Sequence, residues 1–307
     1  MFYYLSSLIY VYIISRYFNK LPTIFIFISL FPIILFAAFR GNSGKDTPIY
    51  IDRFFGQNIE YSFFSEPIFS LIISASRFIS DSSLEIFFAI HASLVCMLYS
   101  KIIKSNNAFA VTLGPLFLID GLTNGMRIVI GYFLLLVFSN NFLRSLSFFA
   151  HISSLLPLLI AFISDNRNRL VVAISVPLLI IVIFLVIDIE VLRVSYKLNR
   201  YQSMGSANWY SGIVDLLILF ILITRLRLKN LKVMFISFLL ICVLLFLNMY
   251  SIAFIRLTKL LILSLFLIPS TRAFLVRNKT LAFTLFFISV INFMRQVVFG
   301  QGFLPYG

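Results

Sequence analysis

Long apolar segments separated by short polar connectors run through the whole chain. Residues 170–187 include no charged side chain, and residues 231–247 include only Lys232. A helix needs about 20 apolar residues, at 1.5 Å each, to cross the hydrocarbon of a bilayer. The pattern therefore predicts membrane-spanning helices near 2–15, 21–39, 84–100, 107–120, 126–143, 170–187, 211–224, 231–248, 252–269 and 280–296.

Two further apolar segments do not fit a simple crossing. Residues 67–80 are too few to span a bilayer, and Ser76 and Arg77 favour an amphipathic helix at the interface. Residues 145–164 are long enough, but His151 and two serines lie in the middle, so a crossing and a re-entrant segment both stay open. The sequence thus predicts an all-α, polytopic integral membrane protein with about 10–11 transmembrane helices, two extracytoplasmic loops and a short interfacial helix.

The composition excludes an ordinary soluble domain. Of the 307 residues, 61% are hydrophobic and 12% charged, and the mean hydropathy is +1.04, whereas roughly a quarter of the residues in a soluble domain are charged. The net charge of +14 comes largely from short connectors, as expected where basic residues stay in the cytoplasm. We therefore expect membrane lipids, and no nucleic acid, as partners.

The basic connectors also orient the chain. If residues 67–80 do not cross, the basic connectors other than that at 167–169 can all lie in the cytoplasm, and residues 40–66 lie outside. The connector at 167–169 lies there only if residues 145–164 enter and leave the membrane on one side. The same alternation makes residues 188–210 a second outer loop. No internal repeat or soluble segment interrupts the pattern, so residues 1–307 are predicted to form a single transmembrane domain.

The first outer loop contains a compact group of charged residues. Gly41 and Gly44 permit a tight turn that brings Arg40, Lys45 and Asp46 into one small region. Such a turn could bind an oxyanion. The alternative is a plain surface turn.

Single basic residues in apolar surroundings form a second group of candidates. Arg127 begins an apolar segment, where its planar guanidinium could chelate a phosphate better than Lys; the alternative is a membrane anchor. His151 lies inside an apolar segment, where an ionisable group marks a candidate functional residue, although a bond to a neighbouring carbonyl would also explain it. We interpret His91 as packing, and no spacing of His, Cys or acidic residues predicts a metal site.

Basic and aromatic residues alternate in the second outer loop. Arg193, Arg200 and Tyr201 could grip a sugar chain or its phosphate, because rings stack on sugar faces and guanidinium groups bind oxyanions. The alternative is an interfacial aromatic belt with arginines that reach the membrane surface.

Three motifs together resemble the EpsG-like polysaccharide polymerases, which include many Wzy-type O-antigen polymerases. They are FRGNSGKDTPIY, followed by SEPIF, within 39–69; NGMRIVIGYFLL at 124–135; and FFAHISSLLPL at 148–158. The matching positions are Arg40, Gly44, Asp46, Tyr50, Glu66, Pro67, Arg127, His151 and Ser153. Two positions depart from the family pattern, since Lys45 carries an unusual charge for its place and no Gln follows Arg127. The resemblance covers roughly the first half of the chain.

The resemblance implies a membrane glycosyltransferase, a GT-C-like Wzy-type polymerase in lipopolysaccharide biosynthesis, multi-pass in the bacterial inner membrane. Such an enzyme transfers a growing polymer from one undecaprenyl diphosphate to another lipid-linked repeat unit, without a cofactor or a metal. The implied substrate-binding residues are Arg40, Lys45, Tyr50, Arg127, Arg193, Arg200 and Tyr201. Asp46, Glu66 and His151 all stay open as the catalytic base. A chain-length regulator and a flippase of the same pathway are the protein partners that the resemblance implies.

Other functions would also use basic residues in a membrane. A flippase for lipid-linked oligosaccharide would bind diphosphate as well, but such transporters tend to contain paired repeats. A membrane O-acyltransferase would place Arg or Asp beside its His within the spans. A ligase that moves finished polymer to lipid A is chemically the nearest alternative, although it usually has a much larger outer loop.

Overall fold

The computed structural model of the chain contains only helices as regular elements in the part that it describes. The described residues are 2–41, 44, 47–56, 66–165, 209–225, 229–247 and 251–298. The chain divides into two compact units, one formed by Met1–Leu155 and Leu275–Gly307 and the other by Leu156–Phe274. The prediction of an all-α protein is confirmed, and the single transmembrane domain stays a prediction.

Helices of very different lengths follow one another along the described residues. The first are α1 (Phe2–Tyr17), α2 (Thr23–Ser29), α3 (Phe31–Ala38), α4 (Thr47–Phe55), α5 (Pro67–Ile79), α6 (Leu84–Ser105), α7 (Asn107–Ala110), α8 (Gly114–Thr123), α9 (Met126–Val137), α10 (Asn141–Arg144) and α11 (Leu146–Ala150). A short 3-10 helix (Ile152–Ser154) precedes α12 (Leu155–Asp165), α13 (Trp209–Thr224), α14 (Lys229–Leu247), α15 (Ser251–Leu267), α16 (Pro269–Arg277) and α17 (Lys279–Val298).

Helix α6 lies at the centre of the first unit. It packs against α2, α3, α5, α7, α8 and α9. Phe87, His91, Val95 and Tyr99 recur at every fourth position and are all buried, which is the spacing of one helix face. Ser83 caps the helix by accepting a hydrogen bond from the Ile86 N–H. The elements of the candidate site are therefore assembled around one long, buried helix.

Several of the predicted crossings are shorter or broken in the structure. The apolar segment 21–39 divides at Leu30 into α2 and α3, and Pro32 stands in the first turn of α3. The segment 107–120 divides into α7 and α8, with Pro115 in the first turn of α8. Proline has no N–H for the preceding turn, so it begins helices rather than continuing them. The predicted crossing at 170–187 lies outside the described residues.

Among the described residues, α6 alone is both long and apolar enough to cross a bilayer as an unbroken helix. A second candidate is the pair formed by the end of α15 and α16, which bend by 83° at their junction. The number of crossings stays a prediction.

Large apolar side chains on the helix surfaces favour a membrane setting. Phe25 on α2, Phe31 on α3 and Phe78 on α5 are exposed, Phe78 to 94%. Water-facing surfaces of monomeric proteins rarely present many such side chains together. Helix α5 also has the predicted amphipathic character, because Phe69 and Ile73 are buried on its other side.

The segment 145–164 is not one continuous helix. Helix α11 ends at Ala150, and His151 is extended, with φ −164° and ψ 134°. Gly131 allows α9 to approach α11 closely, because a Cβ there would lie 3.2 Å from the Ser147 carbonyl oxygen. This close packing and the helix break together fix the position of His151 at the end of α11.

Candidate active site

Glu66 is the centre of a cluster of charged side chains in the first unit. It immediately precedes Pro67, the first residue of α5, and it is only 6% exposed. Arg127 Nη1 donates to both carboxylate oxygens at 2.9 Å, and Arg53 Nη1 donates to Oε2 at 2.8 Å. Two guanidinium groups from different helices, α9 and α4, thus share one buried carboxylate.

His151 extends this cluster on the other side of Glu66. Its Nε2 lies 3.4 Å from Glu66 Oε1. The Ser153 N–H donates to Nδ1 at 3.1 Å, and Ser153 Oγ lies 2.7 Å from the same nitrogen. Because Nδ1 accepts a backbone hydrogen bond, the neutral ring carries its proton on Nε2, the nitrogen nearer to Glu66. Glu66, His151 and Ser153 form a continuous chain of polar contacts.

Tyr50 supports the turn that leads into Arg127. Its hydroxyl donates to the Asn124 carbonyl at 2.8 Å and accepts the Met126 N–H at 3.1 Å. The Arg127 guanidinium carbon lies 5.9 Å from the centre of the Tyr50 ring, within reach of a cation–π contact. Tyr50 therefore positions Arg127 through its ring as well as through the backbone.

His91 has a more specific place than the packing role that the sequence indicates. It is fully buried in α6, and its Nε2 lies 2.8 Å from the Met126 carbonyl oxygen, to which it donates. Its ring also packs against the ring of Phe69, with centroids 6.4 Å apart. His91 and Tyr50 thus bind the carbonyl and the N–H of Met126, the residue before Arg127.

Arg40 lies inside the protein, against the same turn. Its Nη1 donates to the Leu122 carbonyl, its Nη2 contacts Met126 Sδ at 3.1 Å, and its guanidinium lies 4.2 Å from the centre of the Phe88 ring. Burial lowers the pKa of Arg40 to about 10, so the side chain is still a cation at neutral pH. These contacts tie Arg40 to the turn of α8 and α9; its binding of substrate stays a prediction.

Gly44 brings the first loop against this turn. Its φ is 112°, a conformation that favours glycine, and a Cβ would lie 2.3 Å from the Thr123 carbonyl oxygen. The turn predicted to bring Arg40, Lys45 and Asp46 together includes residues outside the described part of the chain, so it stays a prediction. The neighbouring Lys45 and Asp46 lie outside the described residues, as do Arg193, Arg200 and Tyr201.

Arg53 and Arg77 have no catalytic or binding role in the sequence-based prediction. Arg53 binds Glu66, and it stands three residues after Tyr50 on α4, so helical spacing could have placed both on one side. Arg77 on α5 donates from Nε to the Phe54 carbonyl at 2.6 Å and from Nη2 to the Gly56 carbonyl at 3.0 Å. It therefore caps the end of α4, a long-range contact that no local pattern indicates.

The fold and the site together define a class of protein. Apolar helices with exposed aromatic side chains are typical of a membrane protein, and the cluster on Glu66 is a polar site built between those helices. The chain belongs to the EpsG family, whose sequence model matches residues 23–307. The family inferred from the motifs is therefore confirmed, and the match extends over both compact units. Membership indicates a polysaccharide-related function at a membrane. Neither the curated proteins nor the solved structures give a match.

Proposed function

We propose that this protein is a surface-polysaccharide polymerase, which joins oligosaccharide repeat units carried on undecaprenyl diphosphate at the outer face of the bacterial inner membrane. Membership of the EpsG family supports polysaccharide chemistry in a membrane. The observation that carries the proposal is the convergence of Arg53, Arg127 and His151 on Glu66. Such a site combines cations for a diphosphate with a base for a sugar hydroxyl.

The arginines suit the leaving group of this reaction. A donor sugar on a diphosphate is already activated, so the protein must stabilise the negative charge that develops as the sugar–phosphate bond breaks. Arg53 and Arg127 each bind Glu66 through Nη1, and a guanidinium has five N–H donors in a planar fork. Their side chains are 30% and 20% exposed, so a phosphate can reach the donors on their exposed sides.

Arg40 supports the same site from within. Its guanidinium holds the Leu122 carbonyl and the Met126 sulfur, and so it braces the turn from which Arg127 projects. A buried cation there also adds positive potential toward a bound diphosphate. In this proposal Arg40 holds the turn before Arg127 in place, and its charge attracts the diphosphate without contacting it.

The geometry favours His151 over Glu66 as the base. Both oxygens of Glu66 accept hydrogen bonds from guanidinium groups, so the carboxylate is held in place as their counter-charge. His151 presents Nδ1, an unprotonated nitrogen, on the side away from Glu66. Glu66 then orients the imidazole and stabilises its charged form after proton transfer. Asp46 stays a third candidate, outside the described residues.

The proposal is tested with the purified protein in vesicles. The substrate is the lipid-linked repeat unit that accumulates in a strain lacking this gene, and the product is a ladder of longer glycans on a gel. The wild-type protein should extend the chains. Arg127→Lys should reduce the rate about a hundredfold, because one ammonium cannot replace a planar fork that stabilises the departing charge.

Arg277→Lys is the matched control, because Arg277 is exposed at the end of α16. It should polymerise at the wild-type rate. If the wild-type protein moves repeat units across the vesicle membrane without lengthening any chain, it is a flippase and the proposal is wrong. A product attached to lipid A would identify a ligase, and an acylated repeat unit of unchanged length an O-acyltransferase.

A further inference from the structure

We infer that the Ser153 hydroxyl is the group that receives the proton of the acceptor sugar and relays it to His151. This inference rests on the proposed function, since it assigns the proton path of the same reaction. It makes Ser153 a catalytic residue that contacts the acceptor hydroxyl. Neither the family match nor the sequence-based prediction assigns a role to this side chain.

The first observation is the pair of contacts that Ser153 makes with one nitrogen. The Ser153 N–H donates to His151 Nδ1 at 3.1 Å, and its Oγ lies 2.7 Å from the same atom. The backbone bond keeps the lone pair of Nδ1 on the side of Ser153. The hydroxyl is therefore placed to give its own proton to the imidazole.

The second observation is the support on the far side of the ring. His151 Nε2 lies 3.4 Å from Glu66 Oε1, and Glu66 is held in turn by Arg127 and Arg53. A carboxylate at Nε2 fixes the ring orientation and stabilises the imidazolium that forms at Nδ1. The order Glu66, His151, Ser153 is thus that of an acid, a base and an activated hydroxyl.

The third observation concerns access. Ser153 is half-buried, whereas its neighbour Ser154 is fully buried. Ser154 Oγ donates to the Ser147 carbonyl at 2.7 Å and contacts the His151 carbonyl, so it stabilises the packing of α11. The two adjacent serines therefore differ in their surroundings, and of the two only Ser153 is partly exposed.

The proton and the electrons balance in this step. The acceptor oxygen forms a bond to the anomeric carbon of the donor, and the bond from that carbon to the diphosphate oxygen breaks with its electron pair. The acceptor proton passes to Ser153 Oγ while the serine proton passes to His151 Nδ1. Serine ends neutral, His151 ends as imidazolium beside Glu66, and Arg127 faces the departing diphosphate. His151 then returns its extra proton to the solvent or to the diphosphate.

The test uses Ser153→Ala in the full chain and the same vesicle assay. Alanine keeps the backbone N–H that binds Nδ1, so His151 keeps its orientation and only the hydroxyl is lost. We expect kcat to fall about a hundredfold or more, as for the loss of a group in general acid–base catalysis. KM for the lipid-linked unit and the thermal unfolding temperature should stay near wild type. Ser153→Thr, which restores a hydroxyl, should recover most of kcat.

Ser154→Ala is the structural control. It should lower the unfolding temperature while leaving kcat of the folded fraction near wild type. Wild-type kcat in Ser153→Ala, or an equal loss of kcat in both alanine variants, would overturn the relay and leave the polymerase proposal in place. If the wild-type protein does not lengthen the glycan chains, the proposed function is wrong, and the relay that rests on it is wrong as well.

Discussion

At the scale of single residues, Glu66 carries the most interactions of the candidate site. Arg53, Arg127 and His151 reach it from three different elements, and it is almost completely shielded from solvent. A buried charge is stable only with partners of opposite charge. The same reasoning applies to the arginines, which depend on Glu66 for their counter-charge.

Glu66→Gln should therefore impair both stability and activity. The amide keeps the shape of the side chain but leaves two guanidinium groups without a counter-charge. Breaking a fully buried ion pair costs roughly 3–5 kcal/mol, and we expect about 2 kcal/mol because Arg53 and Arg127 are partly exposed. The measurement is the thermal unfolding temperature, with polymerisation assayed on the folded protein.

Glu85→Gln is the control for this prediction. Glu85 is exposed in the first turn of α6, where it accepts a hydrogen bond from Ser83. Glu85→Gln should leave the unfolding temperature and the polymerisation activity close to those of the wild type. Equal unfolding temperatures and equal activities for the Glu66 and Glu85 variants would contradict the central place of Glu66.

Met126 is the second residue on which the site depends. Tyr50 accepts its N–H, and His91 donates to its carbonyl. Tyr50→Phe and His91→Phe should each cost about 1–3 kcal/mol, because each leaves a backbone group of Met126 without its partner. The combined variant should cost less than the sum, since the two side chains hold the same residue and their effects are coupled.

A double-mutant cycle of unfolding free energies measures this coupling. Ser100→Ala serves as a reference, because its hydroxyl bonds within its own helix, to the Met97 carbonyl. The loss of unfolding free energy in Ser100→Ala should simply add to that of either Phe variant. Strict additivity of Tyr50→Phe and His91→Phe would show that the two side chains act independently.

At the scale of the elements, the close approach of α9 and α11 decides whether the site forms. Gly131→Val should push the two helices apart, because even the first added carbon would lie 3.2 Å from Ser147 O and Ser154 Oγ. His151 would then move away from Glu66, and polymerisation should fall at least tenfold, since such chemistry depends on positions held within about 1 Å. The measurement is the polymerisation rate at equal amounts of folded protein.

Gly125→Ala is the matched control for this glycine. A Cβ at Gly125 would find no atom nearer than 3.9 Å, and the backbone φ there is −106°, outside the left-handed region that favours glycine. Near-normal activity is expected. If Gly131→Val polymerises as well as Gly125→Ala, the close helix contact does not position His151.

Sequence patterns foresee the parts of the site better than their assembly. Glu66, Arg127 and His151 can be chosen as candidates because charged or ionisable groups in apolar surroundings are costly. Their meeting point cannot be predicted in this way, because it depends on contacts between residues far apart in the chain, 61 positions for Arg127 and Glu66 and more for His151 and Glu66. The contact of Arg77 with the end of α4 cannot be predicted from the sequence for the same reason. Helix breaks near Pro32 and Pro115 are local, and proline rules could have indicated them.

At the scale of the whole molecule, the described site lies within one compact unit while the family match covers both. Within the described residues, the charged side chains that contact Glu66 belong to the first unit. The predicted sugar-binding residues Arg193, Arg200 and Tyr201 belong to the second unit and lie outside the described residues. Their contribution to glycan binding stays a prediction. It can be tested by replacing each of them with alanine in the polymerisation assay.

The shielding of Glu66 has a consequence for the response of the molecule to ionic strength. The screening length falls from about 10 Å in 0.1 M salt to about 3 Å in 1 M salt, and buried pairs are screened far less than exposed ones. Added salt should thus leave the unfolding temperature almost unchanged. It should weaken the attraction between the exposed parts of Arg53 and Arg127 and an anionic lipid diphosphate, so that KM rises while the protein stays folded. A salt series would in this way separate the electrostatics of substrate capture from those that hold the site together.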